Sequence, residues 1–198
     1  FCCLVGMDLE TLRTLPSTIQ FSQEVSDRLQ AFALDSTTPP TELSTVIKQI
    51  AVTGLNCYSW ISIRAAIIFQ IETLLSNFQS VEEETIDEDS LAKRKTILFN
   101  GIHVFEEAPF TLQRICEILD TNGRGFSSLD KLLNALEKLT RVNTVQPALS
   151  PRSFEQKLTE ATARMVEQKE KKNEDLAKQK EVEAQKRDVD PDLMEIDQ

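Results

Sequence analysis

Glycine is scarce in this chain, five in 198 residues, and neither GxxxxGK[ST] nor GxGxxG occurs, so no phosphate-cradling loop is encoded. Histidine is scarcer. The one imidazole, His103, would have to serve every Ser-His or Cys-His pair, and no cysteine or carboxylate stands at zinc-ligand spacing from it. The four cysteines, Cys2, Cys3, Cys57 and Cys116, contain no CxxC pair. Cys57 and Cys116 fall inside apolar helical patterns and read as small buried thiols of a reducing compartment. Cations are outnumbered, 22 Lys and Arg against 32 Asp and Glu, which argues against a general nucleic-acid binder, whose phosphate contacts need clustered cations. No charged start, apolar core and cleavage site form a signal peptide. These absences point to a non-enzyme without cofactor or metal.

Long apolar runs are limited to one, Trp60 to Phe78, and Arg64, Gln70 and Glu72 interrupt it. A mid-helix charge in a bilayer costs about 2.5–3.5 kcal/mol, so the run predicts a core helix and no membrane association. Being apolar nearly all round, it is expected to be the helix on which others pack. Trp60 at its start reads as a packed residue whose N–H finds one partner.

Helical periodicity fills most of the rest. Leu9, Leu12 and Leu15 predict a short turn ended by Pro16. Phe21, Val25, Leu29 and Phe32 mark a second helix, broken at Pro39-Pro40. Leu43, Val46, Ile47, Ile50 and Ala51 mark a third, capped by Thr41 and closed by Gly54. Six acids between Val81 and Asp89 read as a solvated loop, with nothing apolar around them to split their pKa values. Leu91, Leu98, Ile102 and Phe105 give another helix, and Leu129, Leu132, Leu133 and Leu136 one more. Val142 to Val145 allows a short strand.

The chain changes character at Ser150-Pro151. Up to Ser150 it holds 12 basic and 19 acidic residues, and from Pro151 onward 10 and 13, dominated by Lys, Glu, Gln and Ala. The apolar residues Phe154, Leu158, Ala161 and Met165 thin out without sustaining heptads, which predicts a solvated single helix or disorder. The organisation read from the sequence is therefore a leader, 1–7, of upstream or fragment sequence; a compact all-α domain, 8–146; and a charged tail, 147–198, helical or disordered.

Two segments call for a functional reading. Asp120 to Lys131 is flanked by helices like a calcium-binding loop, with Asp120, Asn122 and Gly125 at fitting positions. Arg124 and Lys131 then place two cations in the ion's first shell, so an interhelical turn is expected. The second segment starts at Pro109, a residue suited to the first helical position, with Glu106 and Glu107 near the positive end of the dipole. Leu112, Ile115, Cys116 and Leu119 form its inner stripe, while Phe110, Gln113, Arg114 and Glu117 form an outer one. An aromatic and an arginine on one face suit a protein interface; a solvated face with an Arg114–Glu117 pair is the plainer alternative.

The run Phe105-x-x-Ala108-Pro109-Phe110-Thr111-x-Gln113-Arg114-x-Cys116-Glu117-x-Leu119 resembles the signature of regulatory subunit 2 of protein phosphatase 4. Ala51-Val52-Thr53-Gly54, Trp60, Ile71-Glu72 and Asn77-Phe78 agree in order and approximate spacing, as do Asp130-Lys131-Leu132-Leu133 and Glu137-Lys138, over residues 20–145 in all. The resemblance implies a non-catalytic subunit that joins the phosphatase 4 catalytic subunit and regulatory subunit 3, in nucleus and cytoplasm and at the centrosome, with DNA-damage substrates. Phe110, Thr111, Gln113, Arg114 and Glu117 are its candidate partner-binding residues. Arg114→Glu is expected to break the complex with melting nearly unchanged. Members carry a long Ser-rich acidic tail, whereas the segment after Ser150 is here Lys/Glu-rich. A scaffold or adaptor unrelated to phosphatases, using residues 151–187, is the other class the residues allow.

Overall fold

The structure is a computed structural model that describes residues 8–35, 38–79 and 87–188. The expected leader and most of the acidic run lie outside these. Among the described residues there are eight helices and a two-stranded sheet. The helices are α1 (Leu9–Thr18), α2 (Gln23–Leu34), α3 (Leu43–Thr53), α4 (Trp60–Gln79), α5 (Glu88–His103), α6 (Leu112–Asp120), α7 (Leu129–Leu139) and α8 (Pro151–Asp188). The strands β1 (Ala108–Pro109) and β2 (Val145–Gln146) pair antiparallel. The all-α expectation holds.

The apolar spacing explains the packing. In α4, Ile63, Ala66, Ile67, Ile71, Leu74 and Leu75 are buried, and burial of each large side chain contributes about 1.5–3 kcal/mol. α2 packs along α4, with Phe32 edge-on to Phe69 at 5.7 Å between ring centres. Trp60 is buried and its Nε1–H donates to the Phe105 carbonyl at 2.9 Å, which fixes the start of α4 to the end of α5. Arg94 ties α5 to α7, donating to Glu137 at 2.7 Å, Asp130 at 2.6 Å and Asn134 at 2.9 Å.

Three local expectations change. α1 runs two residues past Pro16; a proline in the last turns removes one hydrogen bond, and too few residues follow for a break to matter. The N-cap of α3 is Glu42, without a side-chain cap. A turn at Pro40, whose carbonyl accepts from Leu43 N–H at 3.1 Å, already satisfies a donor that Thr41 would have capped. The third change is larger. Phe154, Leu158 and Met165 are buried, in a helix the sequence reads as solvated. Their helix, α8, packs on α1, where Leu12 is fully buried, and Arg13 donates to Glu170 at 2.6 Å. Residues 171–178 of α8 are exposed.

Candidate partner-binding surface

Pro109 opens no helix. It lies in β1 opposite Val145, the Phe110 N–H donates to the Thr144 carbonyl at 3.0 Å, and α6 begins three residues later at Leu112. A proline with no N–H to give is suited to strand position as much as to a first helical turn, and the long-range pairing decides between them. Glu106 and Glu107 are thus exposed loop residues before the strand, outside the first turn of α6.

The inner stripe of α6 stands as expected: Leu112, Ile115, Cys116 and Leu119 are buried. α6 packs most extensively against α3 and also touches α4 and α7, and this coverage reaches part of the outer stripe. Phe110 is 47 % exposed, and the Arg114 side chain is 59 % exposed. Thr111 is buried, and its hydroxyl donates to the Leu139 carbonyl at the end of α7, at 2.7 Å. Gln113 is half-buried, its Nε2–H donating to the Ala51 carbonyl of α3 at 3.2 Å. Glu117 is buried, its carboxylate held at 2.7 Å by Arg114. Two of the five candidate residues therefore face solvent, Thr111 and Gln113 tie this segment to α7 and α3, and Glu117 is buried with its partner Arg114 on the same helix.

Phe110 and Gln113 also line a cavity of about 330 Å³, bounded by the end of α3, the two-stranded sheet, the start of α6 and the start of α8. Its other walls include Pro147, Leu149 and Lys157, residues that periodicity does not single out. Leu149 is anchored there by its N–H donating to the Asn56 carbonyl at 2.8 Å. Pro109 in β1 and Pro147 just after β2 were the available signal, readable only once the pairing of 108–109 with 145–146 is known.

The turn after α6 is a helix-closing device. Asn122 is left-handed (φ 48°), Gly123 N–H donates to the Ile118 carbonyl at 2.9 Å, and Asn122 N–H to the Leu119 carbonyl at 3.0 Å, the double bond pattern of a Schellman motif. Lys131 turns back to Ser127 at 2.7 Å. Among the described residues no three His, Cys, Asp or Glu are grouped to hold a metal. Burial pushes the Cys57 thiol up to about 11 and the Cys116 thiol further upward, so both are inert at neutral pH.

The chain is similar to proteins named serine/threonine-protein phosphatase 4 regulatory subunit 2. The Drosophila melanogaster protein is 29 % identical over 140 residues, covering 66 % of this chain and 23 % of the relative. That of Dictyostelium discoideum is 21 % identical over 183 residues, 67 % of this chain and 64 % of the relative. The Homo sapiens protein is 28 % identical over 99 residues, 45 % of this chain and 23 % of the relative. The chain thus spans less than two thirds of the length of these relatives. A regulatory subunit is a non-catalytic role, in agreement with the reading of this sequence as a non-enzyme. No solved structure matches the chain. With residues 29–198 matching its family model, the chain belongs to the PPP4R2 family.

Proposed function

We propose that this chain is a non-catalytic regulatory subunit of protein phosphatase 4. It binds the catalytic subunit and regulatory subunit 3 and so directs Ser and Thr dephosphorylation that the partner carries out, in nucleus and cytoplasm and at the centrosome. The observation that carries this reading is the family match over residues 29–198. The geometry supplies a means. Phe110, just before α6, and Arg114, in its first turn, are exposed and of residue types enriched at protein interfaces. Thr111 and Gln113 act behind them, fixing α6 to α7 and α3, and Glu117 holds the Arg114 guanidinium.

Size-exclusion chromatography with the phosphatase 4 catalytic subunit, with and without regulatory subunit 3, tests the proposal. The expected result is co-elution. Phe110→Ala should weaken the complex by at least about thirtyfold, the equivalent of a hot spot of about 2 kcal/mol, with circular dichroism and melting unchanged because the ring is half outside the core. Separate elution of a folded sample from both mixtures would overturn the reading.

A further inference from the structure

We infer that the cavity beside Phe110 receives an extended acidic–apolar segment of the partner, an apolar side chain entering it and an adjacent carboxylate closing on Lys157. The identity of that partner rests on the subunit reading above; the chemistry of the segment does not.

The cavity, about 330 Å³, falls at the low end of ligand sites, which run from roughly 300 to 1,000 Å³. Leu55, Pro109, Phe110, Pro147 and Leu149 give it apolar walls, and Lys157 is the single charged residue that lines it. On a chain of net charge −10, a cavity whose one formal charge is a cation is selective for an anionic visitor. Lys157 takes part in none of the ion pairs among the described residues. The carboxylate one helical turn on, Glu160, is turned to Arg164 at 3.7 Å.

The rim fits an extended chain. Phe110 and Val145 are 47 % and 39 % exposed. The Phe110–Thr144 hydrogen bond puts Thr144 and Gln146 in the bonded positions of the ladder, so the Val145 N–H and carbonyl point away from β1, open to an added strand. Residues 189–198 are themselves acidic and apolar. A second copy's tail is the rival occupant.

The test uses the full chain in two arms. In the first, binding to the catalytic subunit–subunit 3 assembly is measured for Lys157→Glu, Lys157→Arg and, as a control on the exposed distal part of α8, Lys172→Glu. About tenfold weakening is expected for Lys157→Glu alone, growing smaller as salt rises. Wild-type binding that Lys157→Glu leaves intact, or that Lys172→Glu lowers equally, overturns the proposal and spares the subunit reading. In the second arm the probe is a labelled decapeptide of alternating Asp and Leu, its Asn-Leu counterpart, and the peptide of residues 189–198. Lys157-dependent binding of the Asp-Leu peptide, about tenfold tighter than its amide counterpart, is the expected result even where no phosphatase complex forms. No binding of the Asp-Leu peptide overturns the proposal. So does tighter binding of the 189–198 peptide together with concentration-dependent self-association, which would assign the cavity to a second copy.

Discussion

Gly54 stands where two demands meet. It closes α3 in the left-handed region, φ +69°, and a Cβ there would lie 2.6 Å from Oε1 of Gln113. Replacing it strains the backbone and also pushes away the carboxamide that links α6 to the Ala51 carbonyl. Gly54→Ala should therefore cost roughly 1–3 kcal/mol, at the strained end of backbone substitutions, read as a lower urea midpoint. Arg114 shows how burial alters an expectation drawn from spacing. Its partner Glu117 is only 9 % exposed in its side chain, so Arg114→Glu places a carboxylate beside another that water barely reaches. A loss of more than about 1 kcal/mol of folding stability is expected for it, visible as a lower melting temperature, contrary to the neutral melting predicted from sequence. Phe110→Ala is the cleaner probe of binding. Of the candidate residues, an aromatic and an arginine at helical spacing were legible as surface features. The burial of Thr111 and Glu117 was not, because a local pattern does not reveal what packs against it, such as the carbonyl end of α7 that Thr111 meets.

At the level of elements, α1 and α8 behave as a pair: α1 packs chiefly on α8, and α8 chiefly on α1. Removing residues 171–198 should leave the melting temperature nearly unchanged, since 171–178 are exposed. Ending the chain at Ser150 removes Phe154, Leu158 and Met165 from the core and should lower it by several degrees at least, each lost large side chain costing about 2–5 kcal/mol. The cap of α1 responds to acid. Asp8 accepts from the Thr11 N–H at 2.7 Å and the Thr11 hydroxyl at 2.8 Å, and these bonds hold its carboxyl below its ordinary value of 3.8. A depressed carboxylate stabilises the fold above its unfolded value and loses that contribution as pH falls through the folded one. Protection of the Thr11 amide from exchange, relative to its intrinsic rate, should fall below about pH 3.8 in the native chain and lose this dependence in Asp8→Asn, whose amide caps without titrating. The sequence read α8 as solvated because its apolar residues thin out, and α1, the helix it packs on, is more than a hundred residues upstream.

For the whole molecule, what periodicity resolves is the order of helices and which face of each turns inward. The stripe Phe21, Val25, Leu29, Phe32 and the near-continuous apolar surface of α4 locate the central packing without help from other elements. What it misses are the joints: Pro109 against Val145, Leu149 against Asn56, Arg94 across α5 and α7. Each pairs residues far apart in the chain, and each is made by backbone or charged groups that leave no mark on hydrophobic spacing. Among the described residues, α8 is buried only in its first half, and 171–178 are exposed. Beyond Glu170, where the last ion pair to α1 is made, the helix continues to Asp188, a boom of about 27 Å. A tilt of about 10° at its mount swings the tip through about 5 Å at that length. α1 is thus a rudder as well as a brace: a small repacking at Leu12 and Arg13 re-aims whatever the far end of the boom holds.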